Sequence, residues 1–143
     1  MSTTLGTLRP GAPTGRTRAT TSPRVRAAWG ALAAVMLAAT LVGTITHGGA
    51  TVALALLGVL GPDLALLAGA GQPHGAGQLP PRAVGPYNLV HRPWLPLAAI
   101  AGGALLDQPA AAALSTLGCA WLLHVAVDRV VGYGLRAADG YQR

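Results

Sequence analysis

At 143 residues the chain is long enough for one domain and too short for two of ordinary size. Only 10% of its residues are charged while 52% are apolar, so a water-soluble fold would expose large apolar patches, which excludes an ordinary cytosolic enzyme. The net charge of +6 does not point to nucleic acid, because the clustered arginines flank apolar runs, with no basic helix and no zinc-finger spacing.

Residues 1–26 are rich in Thr, Pro, Gly and Arg, carry no acid, and read as a disordered cytoplasmic tail. Residues 27–46 then hold no formal charge and reach about 30 Å as a helix, the thickness of a bilayer core. A cleaved signal peptide is the rival reading, but no small-x-small site precedes His47, so a retained span is expected. Gly30, Ala34 and Ala38 give it a small-residue face for close packing in lipid. A second apolar stretch, 50–70, is interrupted by Pro62-Asp63, and a Gly/Pro/Gln loop follows to Arg82.

The third stretch, 83–106, carries Pro86, Pro93 and Pro96, which predicts a short piece over 83–92 and a second helix from Pro93 or Trp94. Asp107-Gln108-Pro109 opens the fourth, 110–135, and residues 137–143 form a short tail. The expected fold is all-α: a polytopic membrane four-helix bundle over 27–136 with a broken third helix. Arginines lie in the tail, the second loop and the C-terminus, while the two opposite turns hold none. The positive-inside rule then places both termini in the cytoplasm of a four-span membrane protein. The bilayer is its expected partner, with a homo-oligomer also expected as a state it can adopt.

Ionisable groups inside a span cost several kcal/mol unless paired or wet, so each is a functional candidate. They are Asp63, His91, His124, Asp128 and Arg129. Counting inward at 1.5 Å per residue puts Asp63, His91 and Asp128 at depths of roughly 10–12 Å, with His124 one turn deeper. His124 and Asp128 are four apart and share a helix face, as do Tyr87 and His91, with Asn88 nearby. Two carboxylates and two imidazoles at one depth suit zinc, manganese or iron. Asp128 orienting His124 for general-base work on water is a second option. Structural pairing is a third: Asp63 as a helix cap after Pro62, with His124–Asp128 and Asp–Arg129 as interhelical bonds. His47 and His74 read as solvated loop residues, Cys119 as a small packing residue, and Tyr133 as an interface anchor.

The series Gly61-Pro62-Asp63, Tyr87-Asn88-Leu89-Val90-His91, His124 through Asp128-Arg129, Gly132-Tyr133-Gly134-Leu135-Arg136 and Asp139-Gly140-Tyr141 resembles domain-of-unknown-function family 4260. That resemblance covers roughly residues 50–143 and implies a small bacterial integral membrane protein. A second, partial resemblance is to inner-membrane-associated metal-dependent hydrolases, through Pro62-Asp63, His91-Arg92 and His124 with Asp128. Ala65 stands where those hydrolases have a second acid. The enzymatic expectation is metal-assisted hydrolysis of an amphiphile. Asp63, His91 and His124 would bind the ion, Asp128 and His124 would act on water, and Tyr87, Asn88, Arg92 and Arg129 would contact substrate. The alternatives are a small ion-coupled transporter and a non-catalytic scaffold or partner subunit.

Overall fold

A computed structural model describes residues 22–143, and every regular element among them is helical. The expected tail up to residue 21 lies outside the described residues. Helix α1 spans Pro23–His47 and so begins four residues before the expected span, taking Arg24 and Arg26 out of the tail. The cause is local: Ser22 accepts a hydrogen bond from the Val25 N–H at 3.4 Å, and Pro23 occupies the first turn, where no donor is needed.

Helix α2, Gly49–Leu60, passes directly into a 3-10 helix, Gly61–Gly69. Pro62 has no N–H to give an α-type bond, and the tighter winding keeps the segment helical through Asp63. Helix α3 spans Pro81–Val90 and α4 spans Trp94–Gly103, so the interruption falls at His91-Arg92-Pro93. Pro86 and Pro96 both lie inside helices and do not break them. Helix α5, Ala110–Val131, stops four residues short of the expected end because Gly132 turns left-handed at φ 92° and closes the helix. Three apolar rods, Pro23–His47, Gly49–Gly69 and Ala110–Val131, are long and apolar enough to cross a membrane.

Helix α5 is the spine, packed against α1, α2 and α4, while α3 lies along the 3-10 helix. The interior is built of small side chains: Ala83, Ala120 and Ala126 are fully buried beside Val125 and Leu122. Many large apolar ones face outward, as with Ile45, Val42 and Leu67. That distribution suits lipid, where close approach of backbones replaces the hydrophobic effect between helices. Gly58 on α2 and Gly118 on α5 mark two of the close approaches between helices. A Cβ at Gly58 would stand 2.8 Å from Ala120 Cβ, and one at Gly118 would stand 2.7 Å from Ile100 Cγ1.

Beyond Gly132 the chain folds back over the end of the bundle that carries the arginines. The Asn88 side chain donates to the Arg136 carbonyl at 2.8 Å and accepts from the Arg136 N–H at 2.7 Å. The Leu79 N–H donates to the Gly140 carbonyl at 2.9 Å. Asn88→Ala is expected to cost about 1–3 kcal/mol of local stability at this strap. Hydrogen exchange would read it as faster exchange at Arg136 and Arg143, with the helices unchanged; unaltered exchange would contradict it.

Candidate functional site

Asp63 comes from the first turn of the 3-10 helix, His91 from the end of α3, and His124 and Asp128 from one face of α5. Their side chains converge. His91 Nε2 lies 3.2 Å from His124 Nε2, 3.5 Å from Asp63 Oδ1 and 3.5 Å from Asp128 Oδ2. His124 Nε2 lies 3.6 Å from Asp63 Oδ1 and 3.9 Å from Asp128 Oδ2. Asp63, His91 and His124 form a set whose ligand atoms all fall within 4.8 Å of one another, with Asp128 alongside both imidazoles.

The hydrogen bonds around His91 define which nitrogen is available. Its Nδ1 is 2.9 Å from the Tyr87 carbonyl, which can only accept, so Nδ1 carries the hydrogen. In the neutral ring Nε2 then presents a lone pair to His124 and the two carboxylates. The Tyr87 ring stacks on the imidazole with centroids 3.8 Å apart, and the Arg136 guanidinium lies 5.7 Å from the Tyr87 ring centre. His91 is thereby held by bond and by stacking, and it is fully buried. The carboxylate of Asp63 is 57% exposed, so the cluster is closed behind His91 and open at Asp63.

The break between α3 and α4 frees main-chain carbonyls from intrahelical bonds. Helix α5 supplies their donors. Trp121 Nε1 donates to the Val90 carbonyl at 2.7 Å, and Arg129 donates to the His91 carbonyl at 3.0 Å and to Tyr133 at 2.9 Å. Irregular backbone is tolerated at membrane depth only with such cover.

Four of the expected site residues therefore meet: Asp63, His91, His124 and Asp128. The other four stand differently. Tyr87 supports His91 from behind, Asn88 is committed to Arg136, and Arg129 has its guanidinium on carbonyls and not on Asp63 or Asp128. Arg92 is exposed at the break, without a side-chain hydrogen bond among the described residues. Trp121 and Arg136 were given no site role from the sequence. A tryptophan one turn from a histidine was a usable signal for the first; nothing local announced the second.

No curated protein and no solved structure matches the chain, and the partial resemblance to metal-dependent hydrolases finds no support in these comparisons. A family model described as a domain of unknown function (DUF4260) matches residues 28–143. With most of its length covered by that match, the chain belongs to the DUF4260 family.

Proposed function

We propose that this is a four-span integral protein of a bacterial inner membrane that holds a divalent cation, such as zinc or manganese, and hydrolyses an amphiphilic substrate. Helices α3 and α4 reach only about 15 Å each, so neither crosses alone, and end to end they make one interrupted span of about 30 Å. The first turn of α3, which carries Arg82, and the strap bearing Arg136 and Arg143 lie at one end of the bundle, and the positive-inside rule makes that end cytoplasmic.

The observation that carries the metal reading is the spacing of Asp63, His91 and His124. Ligands about 2.0–2.1 Å from a tetrahedral ion stand about 3.3–3.4 Å apart. The three separations here are 3.2, 3.5 and 3.6 Å. Two imidazole nitrogens this close repel unless a proton or a cation lies between them, and a borderline cation takes this N/N/O donor set. When bound, it would supply Lewis acidity and lower the pKa of a ligated water. Asp128, close to both imidazoles, would serve as a general base beside them, while Tyr87 and its carbonyl hold His91 in register.

Elemental analysis of the full chain, purified without chelator, tests this directly. About one equivalent of zinc or manganese per chain is expected. Hydrolysis of an acyl-ester or phosphoester amphiphile is expected to stop on chelation and return with the metal. Metal far below stoichiometry in every preparation, including preparations supplemented with each ion, would overturn the proposal.

A further inference from the structure

An apolar groove of about 230 Å³ is lined by Leu57, Pro62, Leu64, Val90, Leu117 and Trp121, near neighbours in the chain of the cluster residues. Pro62 and Leu64 are the residues on either side of Asp63, and Val90 immediately precedes His91. Trp121 and Leu117 sit one and two turns back from His124 along α5, so the groove extends about 10 Å from the cluster. It leads away from the end where Arg136 reaches Gly77 and the strap lies. Asp63 is the most exposed member of the cluster, and the groove residues Pro62 and Leu64 flank it in the chain.

We infer that this groove holds the acyl chain of a single-chain amphiphile whose anionic head rests at the Asp63–His91–His124 cluster. The inference rests on the metal-centre reading and supplies its substrate class. The groove opens between helices apolar enough to lie in a bilayer, where acyl chains are the solvent. Trp121 has its one donor committed to Val90, so the indole offers only apolar surface to an occupant. The volume exceeds the roughly 150 Å³ that admits a benzene ring. It falls below the roughly 300 Å³ at which pockets for larger ligands begin. A volume in that interval suits one acyl-chain segment. A phosphate or carboxylate head suits both a bound cation and Arg92, which is exposed one residue beyond His91. A lipid seated this way points its tail toward the bilayer centre, in the sense of its neighbours in the same leaflet.

A lysophospholipid with a phosphoglycerol head and a diazirine midway along its chain is the probe. The full-length protein is placed in phosphatidylethanolamine–phosphatidylglycerol vesicles, irradiated, and mapped by peptide mass spectrometry, with metal content measured on the same sample. Adducts are expected on peptides carrying Leu57–Leu64 and Leu117–Trp121 in about tenfold excess over the lipid-facing α1 residues Val35–Ile45. Leu117→Trp, which fills the groove, is expected to remove that excess with metal content unchanged. Leu64→Trp, at an exposed position that threatens the fold less, is expected to do the same. Even labelling of α1 and the groove in metal-loaded protein, or groove labelling that survives both substitutions, would overturn the inference. Groove-selective labelling of protein that carries no metal would uphold the groove and overturn the metal centre alone.

Discussion

His91→Ala is expected to lose at least about 100-fold in metal affinity, a larger loss than a supporting partner of a ligand incurs. His91 Nε2 is the atom nearest to each of the other three polar groups, and its removal leaves His124 and Asp63 as a two-ligand fragment 3.6 Å apart. The side chain is fully buried, so the vacated space also costs about 2–4 kcal/mol of stability, seen as a lower melting temperature. Asp128→Asn separates the two effects. It keeps the size of the side chain and leaves Asp63, His91 and His124 intact, so metal content is expected to stay at one equivalent. Turnover is expected to fall by about 100-fold or more if Asp128 is the base. Elemental analysis and initial rates on the two variants give the comparison. A full complement of metal in His91→Ala would remove the basis for the site, and unchanged turnover in Asp128→Asn would remove the assigned role of that carboxylate.

Gly118→Val is expected to destabilise the protein by about 3 kcal/mol, among the largest effects of any single substitution away from the cluster. Valine would bring its Cβ to 2.7 Å from Ile100 Cγ1, 2.8 Å from the Pro96 carbonyl and 2.9 Å from the Ile100 nitrogen. Two of those three neighbours are main chain and cannot rotate aside, so α4 must move off α5. Gly58→Val acts in the same way on α2, whose nearest obstacle is the Leu117 carbonyl at 2.7 Å. Thermal unfolding in detergent measures both losses. The intrinsic gain of about 1 kcal/mol from removing a helical glycine opposes them and does not outweigh backbone collisions. Gly85→Ala makes the control, because a Cβ there meets nothing within 4 Å. It is expected to be neutral or slightly stabilising. Equal losses at all three positions would show that close helix approach is not what these glycines provide.

The sequence by itself determined roughly where helices run and how far along them each polar residue sits. Helical rise and bilayer thickness are one-dimensional quantities, and charge-free runs display them directly. That is why the break before Trp94 and the helix opening at Ala110 were legible, and why counting inward put Asp63, His91 and Asp128 in a single layer. Helix ends depended on capping detail: Ser22 extends α1 and Gly132 shortens α5. A layer, however, is a plane, and depth leaves the rotation of each helix open. Only tertiary structure decided that the two Nε2 atoms face each other at 3.2 Å, that Asn88 turns to Arg136, and that Trp121 and Arg129 cover the carbonyls of the break. Rotation about a helix axis is set by which small residues let neighbouring backbones touch, and those contacts join residues far apart in the chain, such as Gly58 to Ala120 and Gly118 to Pro96.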